Sequence, residues 1–141
     1  MALKLRHQIN RSVGWGFLVA TILHAVPAQP SEAIEILGLW EQVATNAGAC
    51  QTCNIEFQAG SSGLSVTANN GWAASLRGSD EHGIVGTGRW DDRGRTWVSG
   101  KPFTISFRRE GDHLEMTMTV DTGTDPKPVV RGTYKRAWHG A

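Results

Sequence analysis

The sequence has little charge of one sign, few cysteines and no long apolar run. Net charge over 141 residues is +1, so no bulk field exists to gather nucleic acid or an anionic membrane surface. Two cysteines are too few for an all-cysteine metal site. The 17 glycines show no period of three, which excludes a collagen-like chain. Gly-x-Ser-x-Gly, a phosphate-binding loop and His-Glu-x-x-His are all missing, so no standard catalytic signature is present. Asp91 and Asp92 are neighbours and would point to opposite sides of a strand, so they cannot work as a facing carboxylate pair. What the chain does have is 40% hydrophobic residues, 19% charged residues and six tryptophans. That composition excludes an intrinsically disordered chain.

The N-terminus reads as a targeting segment. Lys4, Arg6 and Arg11 precede an apolar stretch from Val13 to Leu23, and Val26-Pro27-Ala28 supplies a small-x-small site. A basic start, a short apolar core and such a site make residues 1–28 a secretory signal peptide. The apolar stretch is shorter than the roughly 20 residues a membrane helix needs, so no stable membrane span is expected after cleavage. Residues 29–141 then form a single domain with 11 basic and 13 acidic residues, a net charge of −2. The apparent basicity belongs to the leader, and a nucleic-acid partner is not expected. The expected location is secreted or periplasmic.

Past residue 30 no apolar period of 3.6 is sustained. Short alternating runs separated by Gly, Asn and Asp predict strands near 34–44, 52–58, 63–68, 72–77, 84–90, 96–99, 102–109, 112–120 and 128–137. Asn69-Asn70-Gly71 and Glu110-Gly111-Asp112 supply hairpin turns. Phe103, Ile105 and Phe107 alternate with polar residues, as do Leu114, Met116, Met118 and Val120, so each run has one apolar face. Eight or nine short strands at intervals of about ten residues argue for an antiparallel meander. Closing it into a small barrel of about eight strands removes the unpaired edges. A two-sheet β-sandwich is the alternative fold.

Gly38-Leu39-Trp40 near the start and Arg136 near the end resemble the lipocalin and wider calycin pattern, a G-x-W paired with a late basic residue. The resemblance implies a barrel closed at one end by the basic side chain lying across the indole, with Arg131 a rival for Arg136. A cation held over a Trp face contributes roughly 0.5–2 kcal/mol. Asp92-Arg-Gly94-Arg-Thr96-Trp97 resembles a single Asp-box, with Trp90 in place of its leading Ser or Thr. That resemblance implies a structural hairpin turn over 84–99, capped by Asp92, bent at Gly94 and underpacked by Trp97.

Cys50-Gln-Thr-Cys53 admits four readings. Haem attachment needs a His in the next position, which is Asn54. A redox pair would sit at a helix N-terminus, but a strand-like run follows. A metal site would have to recruit His82, His113 or His139 without a recognisable spacing. A structural disulfide pinning the loop suits an exported protein. Cα atoms three residues apart on an extended strand lie near 10 Å, so a disulfide demands a turn at 50–53.

The aromatics fill the interior of a small barrel or line a ligand cavity. Phe57, Trp72, Phe103, Ile105, Met116 and Met118 are the expected lining of a site for a small apolar or aromatic molecule. Asn69, Asn70 and Gly71 could alternatively present Trp72 at a turn tip to a partner. Arg89, Arg93, Arg95, Arg108 and Arg109 could form a basic patch at one barrel end. The function expected is non-enzymatic small-ligand binding, with no cofactor and no metal. A protein-binding inhibitor or accessory subunit is the first alternative. A small enzyme using the Cys50/Cys53 pair or the cavity is the second.

Overall fold

The computed structural model describes residues 35–48, 50–80, 83–94 and 96–138. The expected signal peptide, His82, Arg95 and His139 lie outside the described residues. Eight strands follow in chain order: β1 Gly38–Thr45, β2 Asn54–Gly60, β3 Gly63–Ala68, β4 Trp72–Asp80, β5 Gly83–Trp90, β6 Pro102–Glu110, β7 His113–Val120 and β8 Val129–Arg136. Each pairs antiparallel with its sequence neighbour, and β1 pairs with β8, so the sheet closes into a barrel. Closure leaves no free strand edge and rules out the sandwich alternative.

Alternation decides what points inward. Phe103, Ile105 and Phe107 on β6 face Val120, Met118 and Met116 on β7 across the ladder, and all six are buried. The barrel therefore has a continuous apolar interior that also takes in Trp40, Ile55, Phe57, Val66, Leu76, Ile84 and Leu114. Gly71, with φ at 99°, turns the chain between β3 and β4 in a region that L side chains rarely adopt. The Asn69 side chain braces this turn: its Oδ1 accepts from the Asn54 amide at 3.0 Å and its Nδ2 donates to the Thr52 carbonyl at 2.6 Å.

One expected strand is a loop. Residues 96–99 are a turn, not a ninth strand. The Trp90 amide donates to the Lys101 carbonyl at 3.0 Å and the Gly100 amide to the Asp91 carbonyl at 2.9 Å. Pairing thus jumps from 90–91 to 100–101, and the residues between are an excursion from the hairpin. Ser99 organises it: Oγ donates to the Gly94 carbonyl and accepts from the Thr96 amide. Val98 is buried while Trp97 is 56% exposed, so the residue that packs beneath the turn is Val98 and not the expected Trp97. Asp92 is exposed, and the side chain that holds the described turn is that of Ser99.

The two ends of the barrel differ. At the end where β1 starts and β8 finishes, Ile36 is buried and its carbonyl accepts from Trp40 Nε1 at 2.8 Å. The Arg136 guanidinium lies 4.5 Å over the Trp40 ring and donates to the carbonyls of Leu37 and Glu35. Arg109 reaches the Glu35 carboxylate at 2.6 Å. Residues 35–37, just before β1, thus lie across this end and are fastened there. Arg131 is exposed and pairs across to Thr117, so Arg136 is the cation on the indole. The opposite end carries the four longer connections, 46–53, 69–71, 91–101 and 121–128.

Candidate functional site

At the end with the long connections the barrel interior opens into a cavity of about 400 Å³. This lies toward the lower end of the roughly 300–1,000 Å³ common for small-molecule sites. Its wall combines Trp72, Trp90, Met116, Met118, Val130 and Tyr134 from the strands with Trp97 and Val98 from the 91–101 loop. Cys50 and Cys53 form part of the rim.

Local sequence explains how each side chain arrives there. Trp72 opens β4 and Trp90 closes β5, and the two pair directly across the ladder with their rings edge to face at 6.5 Å. Phe103 meets Trp72 edge-on at 5.7 Å. Tyr134 on β8 lies beside Gly132, where a Cβ would come within 3.0 Å of Tyr134 Cε2. A β-bulge between Gln42 and Ala44 shifts the β1 register. Gln42 stands opposite Tyr134 in that register, and the phenol donates to Gln42 Oε1 at 3.3 Å. Burial pushes the Tyr134 phenol up to about 12, because its charged form would sit among apolar side chains. The cavity therefore contains a neutral hydroxyl at physiological pH.

The disulfide is formed. Cys50 and Cys53 are joined with their Cα atoms 5.4 Å apart, across a two-residue turn at Gln51-Thr52. It ties the start of β2 to the loop after β1. Such a bridge is compatible with an extracellular or periplasmic location.

Of the expected lining residues, Trp72, Met116 and Met118 do line the cavity. Phe57 lies deeper, stacked edge to face on Phe107 at 4.9 Å. Ile105 is packed within the core. Phe103 covers Gly88, where a Cβ would meet its ring at 2.5 Å. Trp72 is only 4% exposed, so the Asn69–Gly71 turn does not present it to a partner. Among the described basic residues, Arg108 pairs with Glu110 and Arg109 with Glu35 at the fastened end. Arg93 pairs with Asp91 at the open end, so these arginines do not gather into one patch. Among the described residues no three metal-binding side chains come together.

Sequence reasoning missed Gln42, Trp90, Tyr134 and Trp97 as lining. Trp90 and Tyr134 carry the ordinary strand alternation and could have been included on that ground. Trp97 could not, since a loop position has no parity. Compared with protein-family models, with curated proteins and with solved structures, the chain matches none.

Proposed function

We propose that this chain is an exported, lipocalin-like carrier or sensor that holds one small apolar or aromatic molecule at the open end of its barrel. The observation that carries the reading is the cavity of about 400 Å³ walled by three tryptophans, one tyrosine and two methionines. Aromatic and thioether side chains offer polarizable, apolar contact to a planar ring. The Arg136–Trp40 contact and the fastened opposite end support the calycin-like assignment. The disulfide and the basic-apolar N-terminus support export.

Titration of the mature protein with naphthalene, followed by tryptophan fluorescence, tests the reading. Saturable quenching is expected, together with weaker binding in Trp97→Ala. Trp97 is largely exposed, so its removal should change stability by no more than about 0.5 kcal/mol. A linear, unsaturable response both to naphthalene and to its acceptor-bearing analogue quinoline refutes the small-ligand reading. The protein-binding alternative draws on a different observation, the 84% exposure of Trp138 beside the fastened end.

A further inference from the structure

The strands send a polar pair into the cavity where packing would call for apolar groups. Gln42 follows Trp40 inward on β1, and Tyr134 follows Val130 and Gly132 inward on β8. The two stand opposite each other in the ladder, and both line the cavity. Turning a carboxamide toward an apolar wall costs desolvation that a Leu or Met would avoid. Such an exception to the pattern is expected at a functional position. The carboxamide is half engaged. Its Oε1 accepts the Tyr134 hydroxyl at 3.3 Å. The other acceptor beside that hydroxyl is Met116 Sδ at 3.8 Å, and a thioether accepts weakly, so the single proton goes to Gln42. This holds Oε1 on the Tyr134 side and turns Nε2 away from it. Nε2 has no acceptor among the described residues. It is also within reach of solvent, since the one side-chain polar atom there that is both sealed and unpaired is Trp90 Nε1. The other polar lining is differently placed. Thr45 Oγ1 accepts from the Ala47 amide at 3.1 Å, and Ser99 Oγ is used within the 91–101 loop. Asn70 is exposed on the turn between β3 and β4.

We infer that Gln42 is the specificity-determining residue of this cavity and that the ligand is a planar aromatic molecule whose hydrogen-bond acceptor, such as a ring nitrogen or a carbonyl, takes a proton of Nε2. The inference rests on the small-ligand reading and adds to it the chemical class of the ligand. Tyr134 is a positioning residue, because its hydroxyl fixes which end of the carboxamide is left for the ligand. A ligand of the same shape without an acceptor strips water from Nε2 and puts nothing in its place.

Naphthalene and quinoline form the matched pair that tests it, since they differ by one ring CH replaced by nitrogen, and quinoline is neutral at mildly alkaline pH. Both are titrated into the wild-type mature protein, into Gln42→Met and into Tyr134→Phe. Met keeps the length of the side chain and removes the donor. The ratio of quinoline to naphthalene affinity should fall about five- to tenfold in Gln42→Met, the worth of one net hydrogen bond. In Tyr134→Phe the ratio should fall while naphthalene affinity holds, and a ratio equal to that of the wild type overturns the positioning role. In the wild type, one of the two Gln42 Nε2 proton resonances, assigned by triple-resonance spectroscopy, should move downfield with quinoline and not with naphthalene. An affinity ratio equal in the wild type and Gln42→Met overturns the inference and leaves the small-ligand reading standing. So does a quinoline-specific shift at the Asn70 amide in place of Gln42. Failure of both probes to saturate the wild type overturns both readings. Should Gln42→Met fail to fold, the wild-type resonances decide alone.

Discussion

Tyr134 is the single tyrosine of the chain, so its ionisation can be followed without interference from any other phenol. Its hydroxyl is held inside the barrel against Gln42, and burial raises it to about 12. In the unfolded chain the same phenol titrates near 10. Below the unfolded value both states keep the proton and the folded state has its full stability. Between pH 10 and 12 the unfolded chain ionises first and binds fewer protons, so stability falls as pH rises. The loss is complete once pH passes the folded value and amounts to roughly 2–3 kcal/mol. Phenolate absorbance of the folded barrel should therefore rise with a midpoint well above 10. Urea unfolding midpoints of the wild type and of Tyr134→Phe, followed by circular dichroism, should diverge in their pH dependence above pH 10. At neutral pH the variant should lose about 0.5–1.5 kcal/mol, the net value of the hydrogen bond to Gln42. A phenol titrating near 10 in a barrel that is still folded refutes the burial argument, and so do parallel stability curves for the two proteins.

Trp40→Ala removes a 1% exposed indole and with it the contact under Arg136. Urea unfolding should register a loss of about 3–5 kcal/mol, and a loss under about 1 kcal/mol would show that the ring does not anchor the fastened end. Replacing Cys50 and Cys53 by Ser opens a small loop, so stability should fall by no more than about 2 kcal/mol while naphthalene binding persists. Complete loss of binding with an intact fold would move the disulfide from structure to function. In Gly88→Ala the new Cβ would lie 2.2 Å from the Ala73 carbonyl oxygen and 2.5 Å from the Phe103 ring. Thermal unfolding should show a cost of about 1–3 kcal/mol or more. Gly60→Ala, with only the Gly63 carbonyl at 3.9 Å, should change stability by about 0.5 kcal/mol at most, and equal costs at the two sites would refute the packing argument.

How much of this was legible depends on which coordinate is asked for. Period-two alternation reports the side of the sheet a residue faces, and on β6 and β7 it placed every apolar residue inside. It does not report depth along the barrel axis, which is set by register. Phe57 stands opposite Gly38 at the fastened end, whereas Met118 stands opposite Val130 toward the open end. From sequence the two were equivalent candidates for a cavity wall, yet one is core and the other is lining. The 96–99 segment misled for a related reason. Thr-Trp-Val-Ser has the β-branched and aromatic content of a strand, but Trp90 and Asp91 are already paired with 101 and 100. No partner is left for a strand between them.

A barrel of eight strands has an interior just wide enough for side chains to fill it, so an open end needs a cause. Inward-facing glycines supply one. On β5, Gly86 and Gly88 occupy successive inward positions after Ile84, and on β8 Gly132 does so before Tyr134. The neighbours settle into the space these residues leave. Leu76 covers Gly86, Phe103 covers Gly88, and Tyr134 covers Gly132. Bulky groups therefore lie along the wall instead of across the lumen. At the fastened end Ile36, Trp40, Phe57, Phe107 and Leu114 join one apolar cluster, with Gly38 opposite Phe57. The cavity is bordered by the disulfide turn and by the 91–101 loop, which brings Trp97 to its mouth.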